Sequence, residues 1–137
     1  MRPRSTTDSR GFQLHVLPAL LYVAVIFWLG SIHTSLSIPQ DLLARDKVNH
    51  FAAFGLLTWL VLRALRFELV ASSYGRLIIA SIGLSSLIGA LLEAWQSLLP
   101  YRTAEFADWV ADTMGALLAG LACHLWVWWR ARHVATG

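Results

Sequence analysis

Four long apolar stretches, at about residues 12–30, 48–65, 77–99 and 109–129, alternate with short polar joints. Each is close to the roughly 20 residues a helix needs to cross the ~30 Å hydrocarbon core of a bilayer. In lipid a backbone must satisfy its own hydrogen bonds, so such segments can only be helices. The reading is an all-α membrane protein, with four transmembrane helices in a compact bundle. Composition agrees: 57% of the 137 residues are hydrophobic and 14% are charged. That is about half the charged share of an ordinary soluble domain, too little polar surface to cover a soluble chain. Residues 12–129 then form one domain, between tails at 1–11 and 130–137.

The first stretch begins after an arginine-rich start, as a secretory signal does, but its apolar run exceeds the 7–15 residues usual for a signal core. It reads as a retained span in which Pro18 is tolerated, with a kink. Pro39-Gln40-Asp41-Leu42-Leu43-Ala44-Arg45 reads equally as a short surface helix begun by proline or as an irregular loop. The single cysteine, Cys123, lies inside the fourth stretch and can form no internal disulfide.

Orientation follows from the basic residues. Arg2, Arg4, Arg10, Arg63, Arg66, Arg76, Arg130 and Arg132 fall on one side, and Arg45, Lys47 and Arg102 on the other. The positive-inside rule places both termini and the 63–76 joint in the cytoplasm. The expected location is the bacterial cytoplasmic membrane, with the 31–46 and 100–107 joints facing outward. A net charge of +3 invites a nucleic-acid reading, but the basic residues mark helix ends and form no stripe with interleaved aromatics. No nucleic-acid partner is expected.

The acidic residues are the anomaly. Glu93 stands six positions before Leu99, roughly 9–10 Å from the outer end of the third helix. An acid at the bilayer centre costs on the order of 2.5–3.5 kcal/mol on insertion scales, so it turns toward protein or water. Ser81, Ser85, Gly89 and Glu93 recur every four residues, a row of small residues that lets another helix approach and points Glu93 into the bundle. Gln96 shares that face. On the fourth helix Ala111, Gly115 and Ala119 form a similar row beside Asp112, Ala116 and Gly120. Asp108 and Asp112 lie on one side of it, four residues apart. On the second, Asp46, Asn49 and His50 share a side.

These clusters meet at the outer end of helices two to four. The expectation is a polar pocket of Asp46, Lys47, Asn49, His50, Glu93, Gln96, Arg102, Asp108 and Asp112, with Lys47 and Arg102 as cationic partners for the acids. Asp46 also reads as a helix cap and His50 as a hydrogen-bonded bundle histidine, Lys47 and Arg102 as interfacial anchors. For Glu93 and Asp112 the purely structural reading is weaker, because intramembrane acids mark functional sites by default.

Asp46-Lys47-x-x-His50-x-x-x-Phe54, followed by Glu93-x-x-Gln96-x-x-x-Pro100-x-Arg102-x-x-Glu105-x-x-Asp108-x-x-x-Asp112-x-x-Gly115, resembles the VanZ-like family of small bacterial membrane proteins. The resemblance covers about residues 46–120. Where Asp112 stands here, that pattern often carries asparagine. The resemblance implies a cell-envelope role, and links it to resistance to the lipoglycopeptide teicoplanin, without supplying a reaction.

Three functions follow from different classes. In the first, the pocket binds a membrane lipid, lipid-linked envelope precursor or lipoglycopeptide from the outer leaflet, with Arg102 and Lys47 meeting anionic groups. In the second, it is a hydrolase or transferase acting on such a precursor, with Glu93 or Asp112 as general acid or base and His50 as its partner. A metal-dependent version would use His50, Glu93, Asp108 and Asp112 as ligands, and oxygen-rich ligands favour magnesium, calcium or manganese. The third is one subunit of a transporter or flippase, completed by copies of itself or by a partner membrane protein, although no inverted repeat is visible. The binding role is preferred. No organic cofactor is expected; a divalent cation is compatible with the residues.

Overall fold

The computed structural model of the chain describes residues 9–32 and 40–134, with the side chains of 40–46 and 134 outside the description. Among the described residues all regular structure is helical. The elements are α1 (Ser9–His15), α2 (Leu17–Ser31), α3 (Gln40–Glu68), α4 (Tyr74–Gln96) and α5 (Phe106–Val134). Three of these helices, α3, α4 and α5, are long and apolar enough to cross a membrane, and α1 with α2 makes a fourth if the bent pair is one span.

The expected first span is thus broken. α1 and α2 meet at a bend of 40°, with Val16 between them and Pro18 in the first turn of α2. Proline has no N–H to give the carbonyl four residues back, and its ring crowds that carbonyl, so the helix ends and restarts. α1 docks on the far end of α3: Gly11 lies directly against the Phe67 ring, and His15 stacks on that ring with centroids 5.0 Å apart.

The segment before the second span is helical from Gln40 and runs without interruption into α3. Residues 40–45 are thus helical, but as the start of α3 rather than as a separate surface helix; Pro39 lies outside the described residues. At about 1.5 Å per residue the 29 residues of α3 span about 44 Å, well beyond the hydrocarbon thickness.

α4 stops earlier than expected. It ends at Gln96, and a turn follows in which Leu99 N–H donates to the Gln96 carbonyl at 3.0 Å. Pro100 disfavours helical geometry at Leu99 and blocks continuation. Glu93 therefore stands in the last turn of α4, about 4.5 Å from its end, rather than 9–10 Å deep.

The bundle is built around α3, which packs on α5 and α4, while α4 and α5 pack on each other; α2 rests on α3 and α4. Leu57 and Ala116 are fully buried and Phe54 nearly so. Phe54, Leu57, Val61 and Leu92 form one apolar core with Ile26 of α2. The expected seams are present. Ser81, Ser85, Gly89 and Glu93 are all buried, as are Asp112, Gly115, Ala116 and Gly120. At Gly115 the helices touch backbone to backbone, because a Cβ there would overlap the Phe51 carbonyl. Large apolar side chains such as Trp28, Ile79, Leu98 and Phe106 cover the outside, the pattern of a surface facing lipid.

Candidate functional site

Close contact between α3 and α5 places His50, next to Phe51, opposite Asp112, one turn before Gly115. His50 Nδ1 lies 2.9 Å from Asp112 Oδ1. Asp112 is completely buried, with the His50 side chain 16% exposed. Gly89 of α4 makes room on the other side of the carboxylate: a Cβ at that position would lie 2.8 Å from Asp112 Oδ2. One step along the same face of α4, Glu93 Oε2 accepts the backbone N–H of Glu105 at 2.9 Å. Glu105 immediately precedes α5, so this carboxylate satisfies a donor at a helix start, where the dipole favours negative charge.

His50, Glu93 and Asp112 each present one nitrogen or oxygen atom within 4.8 Å of the other two. Three helices, α3, α4 and α5, thus deliver one group apiece to a single point. Glu93 Oε1 and Asp112 Oδ2 are buried and have no hydrogen-bond partner among the described residues.

Lys47 and Asp108 stand one turn outward. Lys47 Nζ binds Asp108 Oδ1 at 3.0 Å and Glu105 Oε2 at 3.1 Å. The expected pairing of Lys47 with an acid holds for Asp108, with Glu105 as a second partner. Asp108, an expected fourth ligand, is not among the groups that converge within 4.8 Å. Asp46 belongs to α3 by its backbone, but its side chain lies outside the described residues.

Arg102 does something other than balance the acids. Its guanidinium donates to the carbonyls of Ile32 at 3.1 Å and Leu29 at 3.5 Å, closing the end of α2 where carbonyls lack helical partners. Gln96 likewise donates to the Gly30 carbonyl at 3.2 Å. Trp95 Nε1 donates to Ser31 Oγ at 2.8 Å and the Tyr101 hydroxyl to the Ser31 carbonyl at 2.9 Å. Together these four side chains latch α2 onto the end of α4.

The part played by Ser31, which meets both Trp95 and Tyr101, has no signature in the sequence. Periodicity carries no signal for contacts between segments 64–73 positions apart.

Beside this latch lies a cavity of about 310 Å³, lined by the apolar side chains of Ile26, Leu29, Ala53, Phe54 and Leu92 and by Asn49, His50, Gln96 and Arg102. His50 belongs to both the cavity wall and the carboxylate cluster, so it connects the two. Chemically the arrangement offers a guanidinium and amides for an anion, an apolar wall for hydrocarbon, and an imidazole oriented by an acid.

No curated protein and no solved structure matches the chain. The family model described as VanZ/LLP1 matches residues 6–127, which include every residue of the cluster, the latch and the cavity. With helices able to cross a membrane and a match over most of its length, the chain is a membrane protein that belongs to the VanZ/LLP1 family.

Proposed function

We propose that this protein binds an amphiphile, an anionic membrane lipid or lipid-linked envelope precursor, in the open cavity lined by α2, α3, α4 and Arg102. The observation that carries the reading is that two kinds of side chain line the cavity, the apolar Ile26, Leu29, Ala53, Phe54 and Leu92 and the polar Asn49, His50, Gln96 and Arg102. Pockets that hold small ligands combine apolar walls with a few convergent polar groups. An acyl or prenyl chain would lie along the first, with its phosphate or carboxylate at Arg102. A lipoglycopeptide such as teicoplanin joins an acyl chain to a polar head and would compete for the same space. The basic bias of the opposite end supports placing the termini in the cytoplasm and this cavity in the outer leaflet of the bacterial cytoplasmic membrane.

The test is titration of purified protein with a polyprenyl phosphate, followed by native mass spectrometry. Ala53→Phe fills the cavity and should abolish retention of the lipid while helix content, read by circular dichroism, is kept. Retention unchanged in both Ala53→Phe and Arg102→Gln would remove the cavity from the function.

One observation favours a second, catalytic reading. The His50 ring is held at 2.9 Å by a sealed carboxylate and lines the cavity, the arrangement by which an acid orients an imidazole for general base work. On this reading a lipid-linked pyrophosphate is hydrolysed. Phosphate release lost in His50→Ala, with lipid retention intact, would establish it; absence of turnover in the unaltered protein leaves the binding role alone.

A further inference from the structure

We infer that His50, Glu93 and Asp112 form a binding site for one divalent metal cation. Two buried carboxyl groups converge on one imidazole within 4.8 Å. The nearest described lysine, Lys47, is directed to Glu105 and Asp108 instead. Buried acids in a membrane demand a partner. A doubly charged ion against two carboxylates and a neutral imidazole makes the group electrically balanced.

Two orphaned oxygens point the same way. Glu93 is 9% exposed and Asp112 is 0% exposed, and each has one buried oxygen, Oε1 and Oδ2, with no hydrogen-bond partner among the described residues. Most buried polar atoms in folded proteins are satisfied. A cation coordinated by these groups supplies the missing interaction and the missing charge together.

Distances fit the assignment. Ligand bonds of roughly 2.1 Å put adjacent ligands of an octahedral ion about 3 Å apart and opposite ones about 4.2 Å apart. The 2.9 Å between His50 Nδ1 and Asp112 Oδ1 is the spacing of an adjacent pair once their hydrogen bond gives way to the ion, and the ligand atoms of all three residues lie within 4.8 Å of one another. One imidazole with two carboxylates suits Mn²⁺ better than thiolate-seeking ions, and leaves positions open for solvent or a ligand oxygen. His50 also faces the cavity, so an ion here would be adjacent to whatever enters it.

The inference stands apart from lipid binding, and its test uses Mn²⁺ alone. Free Mn²⁺ is measured by electron paramagnetic resonance during titration of the purified chain in a neutral detergent. One ion per chain is expected, with the affinity at least about 100-fold weaker in Glu93→Gln and in Asp112→Asn. Asp108→Asn removes the same charge from the neighbouring Lys47 pair and should leave the affinity within about threefold. Pulsed measurements on the unaltered protein should show nitrogen-14 modulation from a bound imidazole, absent in His50→Gln; this arm needs no carboxylate variant to fold. The site is refuted by absence of a saturable ion, by equal binding in all three acid variants, or by a bound ion without imidazole modulation.

Discussion

Asp112 and Glu105 show how differently one acid can matter from another a few residues away. Asp112 is sealed between His50 and Gly89, whereas the Lys47 and Glu105 side chains are 40% and 45% exposed. An exposed ion pair is worth about 1 kcal/mol or less. Removing the partner of a buried polar group costs about 1–3 kcal/mol. Glu105→Gln should therefore lower stability by under about 1 kcal/mol, since the backbone N–H that Glu93 holds is retained. His50→Leu should lower it by about 1–3 kcal/mol, because Asp112 Oδ1 loses its bond. Unfolding in detergent monitored by tryptophan fluorescence checks the order. A larger loss in Glu105→Gln would mean that the outer ion pair, and not the buried one, secures this end of the bundle.

At the scale of the helices, the glycines separate contact from open space. Gly115 meets the Phe51 backbone, whereas Gly83, also helical, has no atom within 4 Å of where a Cβ would stand. Gly115→Ala should destabilise by about 1–3 kcal/mol or more, as overpacked cores do. Gly83→Ala should be neutral or stabilising by up to about 1 kcal/mol, through helix propensity. Leu117→Ala, on an outer face 47% exposed, should be tolerated; thermal unfolding of the three variants gives the comparison. The spacing of Ser81, Ser85 and Gly89, and of Ala111 and Gly115, made these seams legible, because a period near four repeats one helix face. Helix ends were less legible. Leucines at 98 and 99 extend the apolar run, but Pro100 and the turn before it end α4 at Gln96, which moves Glu93 from a deep position to a terminal one. The roles of Lys47 and Arg102 were interchangeable in sequence, as two cations near several acids. Only the path of the 97–105 joint decides that Lys47 meets Asp108 while Arg102 closes α2.

Across the whole molecule, the two ends differ in kind. At the end opposite the cluster, Arg66, Arg130 and Arg132 lie over the rings of Tyr74, Trp126 and Trp128 at 4.9, 4.7 and 3.8 Å. Arginine held on aromatics suits the boundary between lipid and water, where an apolar stem and a charged head divide between the two. The proposed orientation predicts that Ser72→Cys reacts with an impermeant maleimide only after cells are permeabilised, while Thr103→Cys reacts in intact cells. The reverse result would turn the cavity toward the cytoplasm. The backbone contact of Gly115 with Phe51 bears on how the molecule answers to its surroundings. A crossing without intervening side chains behaves as a pivot, and His50 and Asp112 are one and three residues from it. Should a thinner or thicker bilayer tilt α3 against α5 by about 10°, their distant ends, about 25–28 Å away, would swing by about 4–5 Å, whereas the imidazole and carboxylate would shift by about 1 Å or less. The chemistry is thereby placed at the still point of the scissors, and its distances should be the same in short-chain and long-chain lipid.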